Sequence, residues 1–135
     1  MDRKTISEKL SVSGQIRPAD VAALGEAGVK TIICNRPDGE SPDQPCADEI
    51  RAEAEKHGIA FHHNPITPDN VSPEAVAEQG KILRDCGGEA FAYCGSGKRA
   101  TVLWALSNPE GKSEDERLKC AAAAGYDLEP LRHRL

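Results

Sequence analysis

Between Ala90 and Leu106 the sequence passes from a short apolar run, Ala90-Phe91-Ala92-Tyr93, directly into Cys94-Gly95-Ser96-Gly97-Lys98-Arg99 and then into Thr101-Val102-Leu103-Trp104-Ala105-Leu106. The first run reads as a strand. The last is apolar on nearly every face, which marks a buried helix. A strand tied by a glycine-rich loop to a buried helix demands a sheet with helices layered on it.

The remaining segments meet that demand. Leu10 to Ile16 alternates apolar and polar residues and reads as a half-buried strand. Pro18 suits a first helical turn, and Val21, Ala22, Leu24 and Ala27 form a stripe ending at Gly28. Val29 to Cys34 is β-branched and almost continuously apolar, as in a strand covered on both sides. Ser41-Pro42-Asp43-Gln44 has the pattern of a capping box opening a helix that runs to about His57, with Gly58 closing it. Ile59 to His63 gives the next strand. Ser72-Pro73 opens a helix that ends at Cys86, and Ser113 to Glu116 opens a last long helix ending near Gly125. A short helical tail follows around Leu128 to Leu131. The alternation predicts an α/β fold: one domain over residues 1–135, with a mostly parallel sheet of four or five strands and helices on both faces. In such sheets ligands sit at the carboxyl ends of the strands, where Cys94 lies.

Composition narrows the function. With 39% hydrophobic and 29% charged residues the chain has the make-up of a globular protein. No apolar stretch approaches the roughly 18 residues of a membrane span, and the N-terminus lacks the apolar core of a secretory signal, so a cytoplasmic protein without membrane association is expected. Net charge is −5 and the 17 Lys and Arg residues are scattered, which argues against a nucleic-acid partner. The five cysteines have neither zinc spacing nor the arrangement of a disulfide framework, so reduced thiols, no metal site and no cofactor are expected. The sequence gives no expectation about oligomeric state.

The chemistry concentrates at residues 94–99. Gly95 and Gly97 let backbone N–H groups converge, and the following helix N-terminus adds its positive end, so the loop forms an anion cradle. The same field favours a cysteine thiolate. Arg99 can hold two oxygens of an anion in a planar fork, which Lys98 cannot do. Cys94 as nucleophile, Arg99 as clamp and the amides of Gly95, Ser96, Gly97, Lys98 and Arg99 as substrate-binding donors thus come from six successive residues.

Three segments in order carry a resemblance: Ser11 to Ile16, Asn35-Arg36-Pro37-Asp38-Gly39-Glu40, and Ala92 to Arg99 followed by Leu103 to Leu106. They resemble the bacterial phosphatase-like domain of beta-lactamase-hydrolase-like proteins. The resemblance implies a fold similar to dual-specificity protein tyrosine phosphatases and a phosphorylated protein or small phosphoester as substrate. It implies Cys94 attacking phosphorus, Arg99 holding the phosphoryl oxygens, and an aspartate from another loop protonating the leaving oxygen. Asp69, in Ile66-Thr67-Pro68-Asp69-Asn70, follows a strand at the right sheet edge for that acid, although the same residues make a good turn. Asp38 is its rival.

The chain departs from the tyrosine phosphatase pattern. Four residues, not five, separate Cys94 from Arg99. Ala100 stands where a hydroxyl residue usually follows the arginine, with Thr101 one place later, and Gly95 stands where members of the resembled domain commonly carry Arg. The shorter loop also matches the rhodanese pattern, in which a smaller ring of amides surrounds a persulfide. Sulfur transfer through a Cys94 persulfide and a non-catalytic anion-binding module therefore stay open beside phosphoester hydrolysis. His62 and His63 read as structural histidines, and Arg36 as a loop ion pair. Cys34, Cys120 and Trp104 read as core, and Cys46 is the only other thiol in a reactive setting.

Overall fold

The computed structural model describes residues 1–135. Five strands form one sheet: β1 (Lys4–Thr5), β2 (Leu10–Ser13), β3 (Val29–Cys34), β4 (Ala60–His63) and β5 (Glu89–Tyr93), in the spatial order β1-β2-β5-β3-β4. β5 is central. It pairs in parallel with β2 on one side and β3 on the other, β4 extends the parallel set, and only β1 is antiparallel. The expected α/β architecture is therefore present, with the short β1 hairpin as an addition that the sequence reading did not contain.

Helices α1 (Asp20–Glu26) and α2 (Ala47–Lys56) cover one face, and α3 (Pro73–Asp85), α4 (Lys98–Ser107) and α5 (Glu114–Ala123) cover the other. A 3₁₀ helix over Glu129–Arg134 follows. None of these helices is long and apolar enough to cross a membrane. Two cores result from the two-residue alternation of the strands. Ile32, Cys34, Phe91 and Tyr93 face Val21, Leu24 and Ile50, whereas Ile33, Ala90 and Ala92 face Leu83, Trp104 and Ala121. The small side chains of Ala90 and Ala92 leave room for the bulky Trp104 of α4.

Two expectations need correction. β2 is buried on both faces, not one: Ser11 and Ser13 are almost fully covered. Their hydroxyls are satisfied locally, Ser11 by Arg3 and Glu89 and Ser13 by the Gly14 carbonyl, so a polar alternation sits inside the protein. Helix α2 begins at Ala47 rather than near Pro42. Gln44 spends its side chain on Glu40 N and Pro37 O, tying down the preceding loop. The helix is capped instead by Cys46 with Glu49, while Asp38 Oδ1 accepts from Ala47 N at 2.8 Å.

Candidate active site

β5 delivers Cys94 to the carboxyl end of the central strand, where its N–H donates to Ser13 O at 3.3 Å. The adjacent end of β2 packs closely on the loop that follows. A Cβ on Gly14 would come within 2.8 Å of Gly95 O, so only glycine allows that approach. Cys94 is buried, Gly95 and Ser96 are exposed, and Gly97 adopts φ +92°, turning the chain into α4. The Gly97 N–H points back to the sulfur, 3.1 Å from Cys94 Sγ. The N–H groups of Gly95, Ser96, Arg99 and Ala100 make no hydrogen bond within the protein, and that of Lys98 only a long one of 3.4 Å to Ser96 Oγ. Six successive amides, Gly95 to Ala100, thus lie beside a buried sulfur at a helix N-terminus, and that of Gly97 is the one aimed at it, an arrangement with the chemistry to hold an anion.

Arg99 closes the cradle. Its side chain is only 15% exposed, with Nη1 and Nη2 forked onto Glu40 Oε2 and Oε1 at 2.9 and 2.8 Å. Nη1 also donates to Ile66 O at 2.9 Å, which ties the arginine to the loop after β4. Glu40 first, and the neighbouring Cys94 sulfur as well, push the guanidinium's affinity for its proton above the ordinary arginine value. Glu40 in turn receives Arg36 Nε at 2.9 Å, and Arg36 reaches Gln15 at 3.1 Å. Hydrogen bonding from Arg99, supplemented by Arg36, lowers the Glu40 carboxyl to about 2. Arg36 is thus the loop ion pair expected of it, but its partner Glu40 had no assigned role in the sequence reading. Opposite charges flanking the Pro37-Asp38-Gly39 turn were the available signal.

The other candidates separate. Asp38 is exposed, with its carboxylate engaged at the start of α2. Asp69 is exposed in a turn closed by Asn70 N to Thr67 O. Its neighbours Ile66, Pro68 and Val71 line a cavity of about 430 Å³ together with Ser96, Lys98 and Arg99, and the 3₁₀ helix closes the far wall. Asp69 therefore rides on a wall of the groove beside the cradle without itself lining it. His63 Nε2 lies 3.1 Å from Arg36 O, an ordering contact for the loop rather than a ligand to the cradle. Cys34 sits at the end of β3 with its thiol donating to Arg36 O at 3.3 Å, and burial pushes its ionisation up. Trp104 is core, as expected, with Nε1 donating to Glu110.

Comparison with known proteins bears on the family and the fold. The chain is 30% identical to the beta-lactamase hydrolase-like protein of Xylella fastidiosa (strain Temecula1) over 125 residues, which are 91% of this chain but 29% of that protein. It thus spans less than a third of the curated relatives it matches. The crystal structure of a Neisseria meningitidis protein assigned as a phosphatase superposes with a TM-score of 0.85 at 35% identity, covering 99% of this chain and 96% of that one. The catalytic core of the S. cerevisiae PP-IP phosphatase SIW14 shares the fold, with a TM-score of 0.71 at 16% identity over 98% of this chain and 81% of that one. The family described as the phosphatase-like domain of beta-lactamase hydrolase-like proteins matches residues 2–111. Loop, sheet order and sequence thus converge on one assignment: the chain is a member of that phosphatase-like domain family.

Proposed function

We propose that the protein hydrolyses a phosphoester through a cysteinyl-phosphate intermediate. The observation that carries this reading is the run of largely unpartnered amides from Gly95 to Ala100 beside Cys94 Sγ, with the Gly97 N–H donating to the sulfur and Arg99 fixed by Glu40. In the first step the Cys94 thiolate forms an S–P bond as the P–O bond to the leaving group breaks. The amides and Arg99 hold the non-bridging oxygens as charge shifts onto them. A proton must then reach the leaving oxygen. Glu40, held near 2, is ionised at neutral pH and has none to give. The Asp38 carboxylate is engaged by the start of α2. Asp127 lines the groove but its Oδ1 accepts from Glu129 N at 3.0 Å, so we assign the task to Asp69, whose loop borders the groove and is linked to Arg99 through Ile66. In the second step water attacks phosphorus, the S–P bond breaks and the thiolate is restored, with phosphate released. The body of the leaving group would occupy the 430 Å³ groove, whose apolar wall of Val71, Val102 and Leu131 is flanked by Lys98 and Arg134.

Relatives described as phosphatases support the reaction class. Thr101 Oγ1 donates to Gly97 O at 2.9 Å, so the hydroxyl nearest in sequence to Ala100 supports the loop from within α4.

The test is a paired assay of wild type and Cys94→Ser with an aryl phosphate and with thiosulfate plus cyanide. Phosphate release should fall by about three orders of magnitude or more in the variant. Asp69→Asn should cost about a hundredfold with a poor leaving group and little with a good one. Thiocyanate formation without phosphate release would replace this reading with sulfur transfer. Activity in neither assay would leave an anion-binding module.

A further inference from the structure

One residue outside the loop touches the loop's most consequential peptide. Tyr126 follows α5, beyond the residues that the family match covers. Gly125, at φ +96°, reverses the chain there, and Tyr126 N returns to Ala121 O at 2.8 Å, which turns the ring back under the loop. The side chain is buried, and its hydroxyl donates to Ser96 O at 2.8 Å. It also abuts Gly97, where an added Cβ would lie 2.2 Å from the phenol oxygen.

The Ser96 carbonyl and the Gly97 N–H are two ends of one planar peptide unit. At one end the oxygen accepts from Tyr126; at the other the N–H donates to Cys94 Sγ at 3.1 Å. A plane held by its oxygen cannot rotate its N–H away from the sulfur. Withdrawing electron density at the oxygen also makes that N–H a stronger donor, because hydrogen bonds in series reinforce one another. We propose that Tyr126 is a positioning residue for the nucleophile, acting through the Ser96–Gly97 peptide to keep one amide aimed at the Cys94 sulfur. The inference rests on Cys94 working as an ionised nucleophile.

The surroundings suit the role. Burial, and after it the charge of Cys94, raises the ionisation of Tyr126 above the ordinary tyrosine value, so the phenol keeps its proton where the enzyme would work. Lys4 of β1 stands 5.1 Å from the ring centroid, and Asp2 is the remaining charged group acting on the phenol. On the sulfur's side the charged or titratable neighbours are Arg99 of α4 and Cys34 of β3.

Tyr126→Phe keeps the ring and removes only the donor. The readout is the rate of Cys94 alkylation by iodoacetamide against pH, resolved by peptide mass spectrometry because the chain has five cysteines. Loss of the bond to Ser96 O leaves the Gly97 N–H a weaker and less fixed donor to the sulfur, which should move the profile to higher pH by about half to one unit, so that alkylation on its acidic limb slows roughly three- to tenfold while the plateau stays. Site-specific 3-fluorotyrosine at position 126, a stronger donor that fills the same space, should move the profile the other way, and it serves as the test if the Phe variant fails to fold. Profiles that coincide for wild type and the substituted proteins would overturn the proposal, even if activity fell. A wild-type profile like that of an unstructured cysteine peptide would instead overturn the nucleophile reading itself, so the two failures are distinguishable.

Discussion

At the scale of single residues, Glu40 decides how Arg99 is presented. A free arginine side chain samples many rotamers, and a fork of two hydrogen bonds from one carboxylate selects a single orientation. The arrangement is charge-assisted and partly screened, since the Glu40 side chain is 26% exposed. Its value for stability should therefore be small, about 1 kcal/mol or less, and its value for orientation larger. Glu40→Gln keeps the shape but weakens both bonds. We expect kcat/KM for an aryl phosphate to drop about ten- to a hundredfold, with far-UV circular dichroism unchanged. The pH dependence has a definite sign. The folded carboxyl lies near 2, below its unfolded value, so its stabilisation is complete above the ordinary glutamate range and disappears as pH falls through about 2. Melting temperatures of wild type and Glu40→Gln should thus differ slightly at pH 6 and converge towards pH 2. Equal kcat/KM for the two proteins would remove Glu40 from the site's working parts.

Among elements, the loop after β4 is anchored by three buried amides. Asn35 Nδ2 donates to Asn64 O and Gln79 Oε1 at 2.8 and 2.9 Å, and Gln79 Nε2 returns a bond to Asn35 Oδ1 at 3.0 Å. Asn64 Nδ2 donates to Ala75 O and Gln79 Oε1, both at 3.0 Å. The cluster joins the ends of β3 and β4 to α3, and Asn35 O receives Ile66 N, whose own carbonyl holds Arg99. Gln79→Leu would take one of two partners from each of Asn35 Nδ2 and Asn64 Nδ2 and the only partner from Asn35 Oδ1, which costs about 2–4 kcal/mol and should lower the melting temperature by about 5–15 °C. A melting curve unchanged from wild type would show the cluster to be dispensable. Local signals in the sequence were enough to locate α3 and α5, because Ser72 and Ser113 do cap them, accepting from Ala75 N and Glu116 N. The same kind of signal misplaced the start of α2, since the Gln44 side chain ties down the 37–40 loop and Ser41 only closes a turn, its carbonyl accepting from Gln44 N. The order of strand, glycine loop and buried helix put Cys94 and Arg99 at one sheet edge, a matter of consecutive residues. Glu40 with Arg99, Tyr126 with Ser96, and the Asn35–Asn64–Gln79 cluster were illegible for one reason. Each joins residues tens of positions apart, and no periodicity or cap encodes such a pairing.

For the molecule as a whole, the two cores share their central strands. Neighbouring residues of β5 enter opposite layers, Phe91 and Tyr93 towards α1 and α2, Ala90 and Ala92 towards α4. A displacement of β5 by one layer is therefore felt by the other, and with it by Cys94 at the strand's end. This coupling predicts that the layers melt together. Leu24→Ala removes a fully buried side chain of α1, on the face away from Trp104, and should cost about 2–5 kcal/mol through lost burial and the cavity left behind. Trp104, the chain's single tryptophan, reports the opposite layer. If the sheet transmits the loss, tryptophan fluorescence and far-UV circular dichroism will show one shared, lowered transition in Leu24→Ala, as in a two-state unfolding. If the α1–α2 layer loosens alone, the dichroism transition will shift while the fluorescence transition stays at its wild-type temperature. The cradle would then rest on the α3–α4–α5 layer only, and Arg36 and Glu40, which leave β3 between the two layers, would be the first of its parts to lose their place.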